Sequence, residues 1–147
     1  MWAQDSHHGW WSSKGKFMHR EGNALMTSVL LIEDDTAERQ RLESMLDGLG
    51  LDLITSGRSE EALQVCNDNT PDLVMLAAAS TGKRPKDFVK RLRRANQGKS
   101  PIVILYADTP DMEMIGQSIL QGAADVIMKP FDRELLQFKL KQAGILA

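Results

Sequence analysis

From Ser28 onward the chain alternates between two textures, and that alternation restricts it to one class of fold. The first texture is short, aliphatic and β-branched: Val29-Leu30-Leu31-Ile32, Leu51-Asp52-Leu53-Ile54-Thr55, Leu73-Val74-Met75-Leu76, Ile102-Val103-Ile104-Leu105 and Asp125-Val126-Ile127-Met128. Several of these runs are apolar at every position, which predicts strands covered on both faces. The second texture has the period of a helix. Leu42, Met45, Leu46 and Leu49 form one stripe, with Asp35 or Thr36 to cap it and Gly48 and Gly50 to end it. Ser59 is expected to cap the next helix, which carries Ala62, Leu63, Val65 and Cys66 as far as Pro71. Phe88, Val89 and Leu92 mark a third helix, and Met112, Ile115, Ile119 and Leu120 a fourth. The fifth starts at Asp132 and carries Leu135, Leu136, Phe138 and Leu140. Five strand–helix pairs in succession demand an α/β fold. It has a five-stranded parallel sheet, right-handed crossovers, helices on both faces and the strand order 2-1-3-4-5.

The alternation does not reach the N-terminus. All three tryptophans (Trp2, Trp10, Trp11) and all three histidines (His7, His8, His19) precede Glu21, in a stretch with no apolar period and no signal-peptide core. Residues 1–25 are expected to be a flexible extension and residues 26–147 the domain, with no output domain after the fifth helix. Hydrophobic residues make up 42% of the chain and charged residues 26%, as in ordinary globular proteins. The net charge of −2 gives no reason to expect a nucleic-acid partner. The single cysteine, Cys66, excludes an internal disulfide, and no apolar run is long enough to span a bilayer. A cytoplasmic location is expected.

In a sheet of this order, function gathers where the central strands end. The first strand ends in Glu33-Asp34-Asp35, a cluster that is costly unless a cation or solvent shares it. An acidic mouth also repels phosphate, which argues against a nucleotide or flavin cradle. The fifth strand ends at Lys129-Pro130, and the lysine can reach across the sheet toward those carboxylates.

At these residues the chain resembles the receiver domain of bacterial response regulators, the CheY-like members of the flavodoxin-like folds. The resemblance runs from about Thr27 to Ile145. It rests on Val29–Asp35, Pro71–Leu76, Pro101–Leu105 and Gly122–Phe131 in that order and spacing. It implies that an acidic pair binds Mg²⁺, that an aspartate after the third strand takes a phosphoryl group from a histidine kinase, and that a Ser/Thr and a lysine hold the phosphoryl oxygens. An aromatic in the fifth strand reports the switch. Carried over, Glu33 and Asp34 match the acidic pair and Lys129 the lysine. The acceptor position holds Ala77. The Ser/Thr position holds Tyr106 by the strand register, or Ala107 counting back from Lys129, and the aromatic position holds Val126. An alanine methyl cannot act as the nucleophile in phosphoryl transfer.

The resemblance and its departures together lead to the expectation of a degenerate, stand-alone pseudo-receiver. Such a protein is not an enzyme. It serves signal transduction in a two-component system or phosphorelay through phosphorylation-independent protein–protein interaction. No cofactor is required, and Glu33 and Asp34 leave room only for weak Mg²⁺ binding. Expected partners are a histidine kinase, a phosphotransfer protein or another regulator, with a homodimer through helix 4, strand 5 and helix 5 as a further arrangement. Docking candidates are Lys83, Arg84, Lys90, Arg91 and Arg94 in the basic third helix and its flank, and Met112 and Met114 in the fourth. Two other readings stay open: a phospho-responsive regulator with a non-standard acceptor, and a transcription-complex or nucleic-acid docking module using the basic helix.

Overall fold

In the computed structural model the five apolar runs become β1 (Thr27–Ile32), β2 (Leu51–Ser56), β3 (Leu73–Ala77), β4 (Ile102–Ala107) and β5 (Asp125–Met128). They pair in parallel in the order β2-β1-β3-β4-β5, as the alternation requires. Between and after them run α1 (Thr36–Leu46), α2 (Ser59–Asp68), α3 (Pro85–Arg94), α4 (Met112–Leu120) and α5 (Arg133–Gln142). A short 3₁₀ turn, Ala78–Thr81, follows β3. The structure describes residues 27–57, 59–68, 70–81, 85–94, 101–109 and 111–146. It also describes three short N-terminal strands, Ala3–Gln4, Gly9–Trp11 and Phe17–His19, which pair antiparallel. The remainder of residues 1–25 lies outside the described residues, and the flexibility expected there with it.

Successive strand residues point to opposite faces, so a continuously apolar strand feeds two cores. In β1, Val29 and Leu31 join Leu42 and Leu46 of α1 and Leu136 and Leu140 of α5. Leu30 and Ile32 join Ala62 and Cys66 of α2 and Phe88, Val89 and Leu92 of α3. All four of these strand residues are fully buried. At the N-terminal edge, Ser28 N–H donates to Asp72 Oδ2 at 2.9 Å and Asp72 N–H donates to Ser28 Oγ at 3.1 Å, which ties the starts of β1 and β3. The buried Cys66 thiol is pushed up to about 12 by desolvation and stays protonated.

Asp35, Asp111 and Asp132 cap α1, α4 and α5, each accepting a backbone N–H three residues on. Gly48 and Gly50 sit at φ 78° and 74° after α1, where side chains are disfavoured. The stripe expected of α4 is turned. Met112, Ile119 and Leu120 are exposed, and Ile115 is half-buried. Ser118 is buried instead and Met114 packs against the core beside it. Ser118 Oγ lies 3.8 Å from Met114 Sδ, a local partner for a hydroxyl that faces the sheet. Of the two methionines expected to be exposed for docking, Met112 is exposed and Met114 is half-buried. In α5, Leu135 and Phe138 likewise face outward, while Leu136 and Leu140 are the side chains the helix buries against the sheet.

Replacing the α5 cap, Asp132→Ala, is expected to cost about 1 kcal/mol in urea unfolding, with no change in the slope of the transition.

Candidate functional site

The mouth is built where β1, β3, β4 and β5 end. A cleft of about 430 Å³ opens there, lined by Glu33, Asp34, Ala77, Tyr106, Asp108 and Lys129, among others, with Met114 of α4 at its wall. Register decides what enters it. Ala77 pairs with Tyr106, and Tyr106 with Ile127, while Ala107 pairs with Met128 one step further on. Of the two residues in question at the end of β4, Tyr106 is thus the one level with Ala77. Its side chain is 1% exposed, and its hydroxyl donates to Glu33 Oε1 at 3.0 Å.

Glu33 is a buried carboxylate, 3% exposed. Such a group is tolerated only when its oxygens are matched by donors or cations. Besides Tyr106, the Asp35 N–H donates to its Oε2 at 3.2 Å, and Lys129 Nζ stands 4.0 Å from its Oε1. Asp34, the second member of the pair, faces solvent and is fastened by Ser80: the Ser80 hydroxyl donates to Asp34 Oδ1 at 3.0 Å and accepts from Asp34 N–H at 3.1 Å.

Lys129 is drawn mainly to residues that sequence reasoning missed. Its nearest carboxylate is Glu38 Oε2 at 3.2 Å, then Asp108 Oδ1 at 3.6 Å. The predicted bridge to the acidic pair is therefore confined to the longer contact with Glu33, and Asp34 has no part in it. The ammonium also lies over the Tyr106 ring, 5.1 Å from its centroid. Phe131 meets that ring edge-on at 6.2 Å, and Arg41 covers Phe131 at 5.5 Å while pairing with Glu38 at 3.4 Å. Glu38 had one sequence signal: it stands three residues after the Asp35 cap, in the pattern of a capping box. Ser80 follows the end of the third strand and so lies near the mouth by its place in the sequence, whereas Asp108 had no signal of its own.

Two pKa shifts follow from this packing. Burial raises the Tyr106 phenol well above its usual range, and the neighbouring Glu33 charge adds to the effect, so the hydroxyl stays a donor. For Glu38 desolvation pulls upward, but the ion pairs and hydrogen bonds with Lys129 and Arg41 together outweigh it and leave the carboxyl below its ordinary value.

The residues fit a divalent cation poorly. Ala77 supplies no ligand, Glu33 is engaged by Tyr106 and Lys129, and Ser80 holds Asp34. Among the described residues no group of three His, Cys, Asp or Glu side chains is arranged to hold a metal ion. Val126 is half-buried against the core on the α2–α3 side. Lys90, Arg91 and Arg94 are exposed on α3, away from the mouth, and Lys83 and Arg84 lie outside the described residues.

The family model of the response regulator receiver domain matches residues 29–141. This chain belongs to that family. The receiver domain is 32% identical over 116 residues to the transcriptional regulatory protein AfsQ1 of Streptomyces coelicolor, covering 79% of this chain and 50% of that protein. It is 36% identical over 103 residues to the DNA-binding response regulator MtrA of Mycobacterium tuberculosis, covering 70% of this chain and 44% of that one. The chain thus spans about half the length of the curated relatives it matches. These relatives give no support to the expectation against a nucleic-acid partner. Among solved structures, the signal receiver domain of an HD domain-containing protein from Pseudomonas fluorescens matches with a TM-score of 0.72. The two are 28% identical, over 80% of this chain and 94% of that one. A receiver domain places the chain in two-component signalling. No described helix is long and apolar enough to cross a membrane.

Tyr106→Phe removes a donor from a buried carboxylate and is expected to cost about 1–3 kcal/mol in chemical unfolding. Glu38→Gln is expected to lower stability at pH 7 but not in acid. The folded pKa of Glu38 is depressed, so its contribution is complete above the ordinary value of 4.5 and fades as pH falls through the lower folded value. Melting curves from neutral to acidic pH check this. Millimolar Mg²⁺ is expected to leave the wild-type melting temperature unchanged, because no preformed ligand set gains by its binding.

Proposed function

We propose that this receiver domain acts without phosphorylation and without catalysis, as a pseudo-receiver whose fixed surface binds other proteins of a two-component pathway. One observation carries the reading. The residue at the end of β3 is Ala77, and the residue level with it on β4 is Tyr106, whose hydroxyl is committed to Glu33. Phosphoryl transfer to a receiver needs a carboxylate in line with the donor, and a space in which the product's charge is held. Here the carboxylate is replaced by a methyl group and the tyrosine ring stands beside it under Lys129.

The partners this reading favours are a histidine kinase, a phosphotransfer protein or another regulator, all met in the cytoplasm. The face formed by α4, β5 and α5 carries the exposed Met112, Leu120 and Phe138, which suit a protein contact or a second copy. The names of AfsQ1 and MtrA point to transcriptional output. In a longer polypeptide the fixed surface would serve an attached DNA-binding segment in the same way.

Incubation with acetyl phosphate and Mg²⁺, followed by intact-mass measurement, tests the proposal. No gain of a phosphoryl group is expected; a stoichiometric gain would mean a non-standard acceptor and would end this reading. Ala77→Asp alone is also expected to stay unmodified, whereas Ala77→Asp with Tyr106→Thr is expected to take up phosphate. Ready phosphorylation of the single variant would show that Tyr106 does not obstruct the site.

A further inference from the structure

No described residue of the basic run lines the mouth. Its described part is α3, where Phe88, Val89 and Leu92 are buried against the sheet. That burial turns Lys86, Lys90 and Arg94 outward, and all three are exposed. At positions i, i+4 and i+8 they form one ridge about 12 Å long, with neighbouring Cβ atoms about 5–6 Å apart. Arg91 and Arg93 flank it, and the only acid in the helix is Asp87, in the first turn. At the far end the Arg93 side chain lies against Gly122, at φ 113°, in the turn that leads into β5; an added Cβ there would collide with it. The ridge is therefore anchored at its arginine-rich end.

Two further facts narrow the partner. All the aliphatic and aromatic side chains of α3 are buried, so the ridge has no apolar anchor at its centre. Protein interfaces are organised on such anchors and are depleted of lysine there. A row of cations ending in a guanidinium suits a chain of phosphates instead. The acidic mouth lies on the side of the Lys86 end of this row and does not cancel its Arg94 end. The mouth lies beyond the C-terminal ends of the strands, and the Arg93 end of α3 lies by the turn that opens β5, at the other edge of the sheet. Six-residue strands separate those edges by about 20 Å, beyond the screening length of about 8–10 Å at physiological salt. The net charge of −2 thus hides a locally cationic face.

We infer that the outer face of α3 is a track for a nucleic-acid phosphate backbone, engaged without reading base sequence. The ridge has no aromatic ring to stack on bases and no amide to read adenine, and its cations suit phosphates of any sequence. The inference is independent of the chemistry at the mouth and stands or falls apart from it.

The full chain would be titrated into a short fluorescein-labelled DNA duplex of mixed sequence and followed by anisotropy. At low salt a Kd of about 10⁻⁴–10⁻⁶ M is expected, with log K falling against log salt with a slope of about −3 for three phosphate contacts. A second duplex of unrelated sequence should bind equally. Lys90→Glu with Arg94→Glu should weaken binding at least about tenfold and flatten the slope by about two. Lys90→Gln with Arg94→Gln should do the same in smaller measure, and provides the test if the reversed pair melts early. Leu120→Glu on α4 should leave binding to the ridge in place. Absence of binding at low salt, or binding indifferent to both paired substitutions, would overturn the inference. So would a polyglutamate of equal charge binding as tightly as the duplex, since that would identify an acidic polypeptide as the partner.

Discussion

The hydrogen bond from the Tyr106 hydroxyl to Glu33 is the constraint around which the mouth is arranged. Glu33 is a carboxylate at 3% exposure, and without donors it would destabilise the fold. Tyr106 supplies one donor from β4, the Asp35 backbone supplies another from the start of α1, and Lys129 supplies charge from the end of β5. Three elements are thereby tied through one side chain. The tyrosine can lie there because its neighbour in register is alanine. An aspartate at position 77 would bring a further negative charge level with a ring that already faces one. The small side chain of Ala77 and the ring of Tyr106 are therefore compatible neighbours.

That arrangement inherits its position from the sheet. Because every strand residue from Val29 to Ile32 is buried, on one face or the other, the end of β1 cannot slip without exposing a full row of side chains. The Ser28–Asp72 pair holds the opposite edge. Rigid strand ends then present Glu33, Ala77, Tyr106 and Lys129 from four different strands to one cleft.

The fold was legible in the sequence because it depends on period and on both-sided burial, which short runs such as Leu73–Leu76 display directly. Glu33, Ala77, Tyr106 and Lys129 were legible for the related reason that the C-terminal ends of the strands mark the mouth. The rest was not local. Glu38, Ser80 and Asp108 reach the site from a helix, a 3₁₀ turn and a loop, and their partners there are set by the tertiary fold. The face of α4 was misread because apolar count favoured Met112, Ile119 and Leu120. The helix in fact buries Ser118, a hydroxyl with a sulfur partner one turn away. Propensity and hydropathy give no weight to a polar residue that brings its own acceptor.

The turned α4 has a consequence for how the mouth communicates. Met114 lines the cleft, and Asp111, the cap of α4, stands at its rim. The first turn of α4 is thus part of the site, while Met112 and Leu120 face solvent at the two ends of the same helix. A helix tied at one end to a cleft moves only if the cleft rearranges, and a two-state surface requires two arrangements of the elements behind it. With Tyr106 bound to Glu33, and Lys129 pinned by Glu38 and Asp108, the packing favours a single arrangement. Under the proposed reading the exposed side chains of α4 are presented in a constant pose. A constant pose lowers the ordering cost that a flexible surface incurs on binding, and under the proposed reading that is the physical advantage of a receiver fold without an acceptor aspartate.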